Sequence, residues 1–183
     1  SKPLGCYGDG GAIFTNNAEL AQKIKWIRVH GQDKRYHHAV LGLNGRLDTL
    51  QAGILLSKMR IFAKEVQLRA QVAQRYDRLF SDLNCTTPFI ESENTSVYAQ
   101  YTLQVANRDG LIERLKADGI PTAVHYPIPL HKQPICLVNF HGQDLSVSEA
   151  VASRVMSLPM HPYLDEITQD RIAASVKSFL TKA

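Results

Sequence analysis

Four places in this 183-residue chain combine residue types that do chemistry with a spacing that could place them. Lys2 comes first. A neutral lysine amine attacks carbonyl carbon, and once free it can shuttle a proton. It precedes the run Gly5-x-x-Gly8-Asp9-Gly10-Gly11. Glycines let a backbone pass close to a ligand or adopt positive φ. The run is no Walker loop, because no Gly-Lys-Ser/Thr follows. Nor is it a dinucleotide fingerprint, because Ile13 stands where a third glycine or alanine is needed. On residue type alone, the ordinary reading of a lysine here is a solvated, idle charge.

Asn44 precedes Gly45, and Asn-Gly favours left-handed turns. Its amide is also a good neutral donor to phosphate oxygens, so turn and ligand roles are compatible. Arg46 and Asp48 read as a salt-bridged helix start. His125-Tyr126 reads as a strand end before the proline turn at Pro127. Both side chains can hydrogen-bond a polar substrate, with His131 a weaker candidate on the same loop. The loop His30 to His38 is charged enough to meet a diphosphate or a sugar acid, although a solvated loop is the ordinary reading. Adjacent His37 and His38 project differently, and the pattern shows no acidic or cysteine partner at ligand spacing, which argues against a metal site. His161, in Leu-Pro-Met-His-Pro-Tyr-Leu, reads as part of a packing loop.

The elements that must position these residues follow from periodicity. Residues 1–11 form a glycine-rich loop, and Ala12 to Phe14 read as a short strand. Asn17 caps a helix predicted to run from Ala18 to His30, with Leu20, Ile24 and Ile27 at helical spacing and Gly31 as its left-handed stop. Residues 31–45 read as a polar loop. Asp48 opens a long helix through Leu50, Ile54, Met59, Val66, Tyr76 and Leu79 to about Leu83, with no proline to break it. Residues 96–105 alternate with period two, 109–118 read as an amphipathic helix stopped by Gly119, and 122–126 read as another strand. A stiff proline loop follows, then helices near 146–156 and 168–181. The fold class expected is α/β, with one unit over 1–60 and a small α/β domain over 61–183, entered by the long helix.

Composition sets the bounds. Hydrophobic residues are 44% and charged residues 21%, an ordinary globular balance. The net charge of +4 is spread along the chain; nucleic acid usually demands a denser basic stripe, and so mild an excess fits small phosphorylated ligands equally well. No apolar run is long enough to span a membrane, and no secretory signal opens the chain. Three scattered cysteines form neither a disulfide framework nor a zinc pattern, so a cytoplasmic setting is expected.

The run Lys-Pro-Leu-Gly-Cys-Tyr-Gly-Asp-Gly-Gly-Ala resembles the segment around the Schiff-base lysine of the DegT/StrS sugar-nucleotide aminotransferases. The similarity continues in order through His-Gly-Gln-Asp-Lys-Arg-Tyr-His-His, Asn-Gly-Arg-Leu-Asp-Thr-Leu-Gln-Ala-Gly, Ser-Val-Tyr-Ala-Gln-Tyr-Thr-Leu, Gly-Ile-Pro-Thr-Ala-Val-His-Tyr-Pro and Ser-Leu-Pro-Met-His-Pro-Tyr-Leu. These are pyridoxal 5'-phosphate enzymes of the aspartate aminotransferase fold. The resemblance is strongest to members that aminate C3 of a UDP-2-acetamido-3-keto-glucuronic acid for bacterial surface polysaccharide. It implies Lys2 as the catalytic, cofactor-bearing lysine. Members with histidine at this position act as dehydratases, so Lys2 favours amino transfer. It also implies that Asn44 reaches a partner subunit's cofactor phosphate, and that His125 and Tyr126 lie beside the sugar. The substrates implied are a UDP-sugar and glutamate, in a homodimer or higher oligomer.

The resemblance covers the C-terminal half of such enzymes, so residues 1–60 read as the tail of the large cofactor domain. The other half would carry the aspartate for the pyridinium nitrogen, the ring stacked on the cofactor and most phosphate donors. Two outcomes are therefore expected of the chain on its own: an aminotransferase completed by its missing half, or an inactive, folded or interacting module. Apolar surface around residues 12–60 is expected to drive association.

Overall fold

The computed structural model describes residues 2–136 and 143–181; Ser1 lies outside them. The chain divides into two compact units, Ser1–Phe62 and Ala63–Ala183. No helix among the described residues is long and apolar enough to cross a membrane.

The first unit holds helix α1, Ala18–Ile27. Asn17, extended at φ −87°, accepts the Leu20 N–H on its Oδ1 at 3.0 Å, as the sequence predicts. The helix stops at Ile27, short of the predicted His30, because the Val29 and Gly31 amides both turn back to the Trp26 carbonyl. Gly31 takes φ +73°, and a Cβ there would lie 1.7 Å from the Val40 carbonyl oxygen, so only glycine fits.

The supposed polar loop that follows contains a hairpin. Strands β1, Gln32–Lys34, and β2, His37–His38, pair antiparallel with Gln32 opposite His38. The predicted strand at 12–14 does not form. Ile13 and Phe14 are 72% and 91% exposed, and no described strand lies alongside to take their backbone bonds. Among the described residues of this unit only Gly31 is buried.

Helix α2 runs unbroken over Thr49–Phe80, a few residues short of the predicted Leu83. The Asp48 carbonyl accepts its early bond from the Ala52 amide at 2.9 Å. Arg46 does not pair with Asp48. Its Nε instead donates to Asn44 Oδ1 at 3.1 Å.

The second unit is organised on an antiparallel pair, β3 (Tyr101–Gln104) and β4 (Val155–Leu158), with Thr102 opposite Ser157 and Leu103 opposite Met156. The alternation read over 96–105 becomes a strand only from Tyr101. Tyr98 holds φ +41° with its N–H on Ser96 Oγ, so the chain turns before it enters the sheet. The predicted strand at 122–126 reduces to one bridge, Ala123 opposite Ser157. The true partner is β4, which the predicted 146–156 helix overran.

Helix α3, Arg108–Ala117, forms as read, with Asn107 Oδ1 accepting the Gly110 N–H and Gly119 at φ +69°. Helix α4 spans Ser146–Arg154, and α5 spans Glu166–Leu180 behind an Asp165 cap. The core gathers Tyr76 and Phe80 of α2, Leu111 and Leu115 of α3, Ile172 and Val176 of α5, and Leu103 and Met156 of the strands. Each fully buried side chain of this kind contributes about 1.5–3 kcal/mol. Tyr76 and Tyr101 rings lie 4.9 Å apart, and the Tyr101 hydroxyl donates to Asp77 Oδ1 at 2.5 Å. Burial and that carboxylate push the Tyr101 phenol far above its ordinary range.

Candidate functional site

Lys2 is exposed and lines a cleft of about 410 Å³ together with Gly5, Cys6, Gly8, Asp9 and Leu47. The glycine-rich loop has definite geometry. Gly5 turns at φ +59°, where a Cβ would sit 3.3 Å from the Lys2 carbonyl oxygen. The Tyr7 N–H donates to Gln51 Oε1 on α2 at 2.9 Å, and Cys6 Sγ donates to the Gly8 carbonyl at 2.6 Å. A Cβ on Gly11 would meet nothing within 4 Å, so the loop leaves open space on that side. The arrangement presents the Lys2 amine beside a glycine-walled opening, which suits attachment of a flat carbonyl compound.

Asn44 also lies in the first unit but not on the wall of that cleft. It is exposed, bridges antiparallel to Val29, and holds the Arg46 guanidinium on its side-chain oxygen. With Oδ1 so occupied, its NH2 remains the free hydrogen-bonding end.

His125 and Tyr126 belong to the second unit. They line a groove of about 760 Å³ that also takes in His131, Leu145 and Val151. Their rings sit edge to face with centroids 5.6 Å apart. His125 Nδ1 lies 3.3 Å from Ser157 Oγ, and that hydroxyl lies 3.0 Å from Thr102 Oγ1. The sheet thus sets the ring through a buried serine, which leaves Nε2 for a ligand.

His131 Nε2 lies 3.0 Å from Glu149 Oε1, and Lys132 Nζ lies 2.9 Å from the same oxygen, tying the proline loop to α4. The His131 bond and then the Lys132 bond hold the Glu149 carboxyl below its usual range. The reading of single residues reaches neither Ser157 nor Glu149. An alternating pattern through Ser157 would have been the signal, and β4 is buried along its whole length.

The remaining candidates are resolved less favourably. Asp33 is an acidic partner for His37 after all, 2.6 Å from its Nδ1 across a single turn of hairpin. That bond holds the exposed Asp33 carboxyl below its usual range. Arg35 lies over the Tyr36 ring, 4.9 Å from its centroid. Around His161, Met160 and Leu164 reach the core while His161 itself is exposed. Its Nδ1 accepts the Tyr163 N–H at 3.2 Å.

The family model described as DegT/DnrJ/EryC1/StrS aminotransferase matches residues 1–177. The chain belongs to this family. A curated relative from Pseudomonas aeruginosa, UDP-2-acetamido-2-deoxy-3-oxo-D-glucuronate aminotransferase, is 57% identical over 176 residues, covering 96% of this chain and 48% of that protein. A DegT DnrJ EryC1 StrS aminotransferase from Brucella abortus superposes with a TM-score of 0.91 at 43% identity, over 97% of this chain and 48% of the other. DesV of S. venezuelae, solved in complex with a ketimine intermediate, superposes with a TM-score of 0.94 at 31% identity, over 99% of this chain and 49% of the other. The fold is therefore part of the sugar-aminotransferase fold. The chain spans about half the length of the DegT/DnrJ/EryC1/StrS relatives it matches.

Proposed function

We propose that the chain forms part of a pyridoxal 5'-phosphate-dependent aminotransferase that moves an amino group, from glutamate, to the keto carbon of a UDP-sugar. C3 of a 2-acetamido-3-keto-uronic acid is the substrate position, and bacterial surface polysaccharide the product's use. The observation that carries this reading is the exposed Lys2 amine on a glycine-walled cleft. The relative named for the 3-oxo-glucuronate reaction supports the choice of sugar.

The residues present fit the cofactor in kind. Lys2 supplies the amine to which an aldehyde attaches, and the open side of Gly11 leaves room for a flat ring. When bound, pyridoxal phosphate supplies a ring that holds the electron pair released as a proton leaves the amine-bearing carbon. Lys2, once displaced by the amino donor, holds and returns that proton. The Asn44 amide donates to phosphate oxygen on a second copy of the chain. His125 and Tyr126 donate to the sugar's carbonyl or carboxylate oxygens.

The first 60 residues act as part of the cofactor-binding domain, and the remainder as the small domain. A second reading rests on a different observation: in the first unit, among the described residues, only Gly31 is buried. On that reading the chain alone is an inactive module that folds its second unit and associates through the first. One experiment separates the two. Pyridoxal phosphate is added to the 183-residue chain, and a visible absorption band is sought, with Lys2→Ala as control. A band lost in the variant supports cofactor attachment, and glutamate plus the keto UDP-sugar then tests transfer. No lysine-dependent band, with self-association in light scattering, supports the module.

A further inference from the structure

We infer that Gln51 is a positioning residue for Lys2, through a clamp that fixes the glycine-rich loop to helix α2. The inference rests on the proposed role of Lys2.

Gln51 and Lys58 lie about two turns apart on α2 and so share a face. The loop lies along that face. Gly8 meets the Gln51 carboxamide, where a Cβ would come within 3.0 Å of Nε2. Gly5 meets the Lys58 side chain, where a Cβ would lie 3.7 Å from its Cε. The Tyr7 N–H to Gln51 Oε1 bond, at 2.9 Å, is the polar tie between loop and helix. The other side-chain bond of the loop, Cys6 to Gly8, is internal and anchors it to nothing else.

Between Tyr7 and Lys2 the chain makes a single left-handed turn, at Gly5. Gly5 packs against the Lys2 carbonyl oxygen, which a Cβ there would approach to 3.3 Å, so holding Tyr7 narrows the directions open to Lys2. A loop tip without such a tie samples many directions, and attack on a carbonyl demands a narrow one. The glycines supply the flat approach, and Gln51 supplies the register.

The test uses the full chain with Gln51→Met, which keeps length and helix propensity but removes the acceptor, and Gln51→Glu, which keeps an acceptor oxygen. Two readouts are taken: hydrogen exchange at the Tyr7 amide, and borohydride-trapped pyridoxal phosphate at Lys2 relative to the exposed Lys23 as internal reference. The expected result is Tyr7 exchange about fivefold faster in Gln51→Met, the size of one ordinary hydrogen bond. The Lys2 to Lys23 labelling ratio falls alongside it, and both recover in Gln51→Glu. Unchanged Tyr7 exchange overturns the clamp. Faster exchange with an unchanged labelling ratio overturns the positioning role. A wild-type chain that labels Lys2 no more than Lys23 overturns cofactor attachment by this chain alone and the positioning role with it, a failure visible before any variant is made.

Discussion

Ser157→Ala tests whether the sheet sets the His125 ring. The serine is 4% exposed, and its hydroxyl lies 3.0 Å from Thr102 Oγ1 and 3.3 Å from His125 Nδ1. Its backbone is bonded in both directions to Ala123, at 2.7 and 3.2 Å, so the substitution removes the hydroxyl and leaves the strand. Thr102 and Ser157 face each other across β3 and β4, where such hydroxyl pairs contribute about 0.2–1 kcal/mol. The longer bond reaches an exposed ring that regains water when released, so it adds about 0.5 kcal/mol, the low end for a hydrogen bond. The expected loss is about 0.7–1.5 kcal/mol of unfolding free energy in urea.

Thr102→Val removes the first contact alone. In a double-mutant cycle the pair should couple by about 0.5–1 kcal/mol. The nitrogen shifts of the His125 ring, read by NMR, should also change in Ser157→Ala but not in Thr102→Val. A Ser157→Ala protein as stable as wild type, or the same ring shifts in all three proteins, would refute the relay.

Two further outcomes are expected. Gly31→Ala should open the hairpin, since its Cβ would overlap the Val40 carbonyl and φ +73° is strained for alanine by about 1 kcal/mol or more. The Ala39 and Val40 amides, which donate to the Gly31 carbonyl, should lose hydrogen-exchange protection while the thermal midpoint of the second unit stays put. Glu149→Gln should destabilise the second unit only at higher pH. The Glu149 carboxyl is depressed below its ordinary 4.5 by His131 and Lys132, so its stabilisation is present above that value and is lost as pH falls through the lower folded value. Urea midpoints of wild type and variant should differ at neutral pH and converge in acid; a constant gap would falsify the assignment.

What could be read from the sequence was what is local. Asn17 and Asn107 cap their helices because a cap needs only the next turn, and Gly119 ends α3 for the same reason. Helix α2 was legible because its apolar residues recur without a proline. Strand β4 was not, because a strand buried at every position has no alternation to read. The hairpin of β1 and β2 is polar, with Gln32 opposite His38, and so left no apolar pattern either. Ile13 and Phe14 show the reverse error, since strand propensity needs a neighbouring strand to become a strand. At the sites, Lys2 stood out by residue type and its glycines. Ser157 lies 32 residues from the histidine it holds and Glu149 lies 18 from its own, and single-sequence spacing carries no trace of either contact.

The apolar residues of the first unit bear on both stability and chemistry. Phe14 is 91% exposed, Leu41 95% and Leu50 84%, although α1 is patterned with Leu20, Ile24 and Ile27 along one side as a core-facing helix would be. Burying three large side chains of that kind contributes about 5–9 kcal/mol, comparable to the whole stability of a small domain. Their pattern therefore implies a covering surface, and relatives about twice as long supply chain enough to make one. The same cover bears on Lys2. Lys2 is exposed here, and a cover over its cleft would narrow further the directions its amine can take. If the proposed reaction is right, adding the covering polypeptide should raise pyridoxal phosphate attachment at Lys2 and slow exchange across α1 together. Attachment without protection, or protection without attachment, would show that the cover and the chemistry are separate matters.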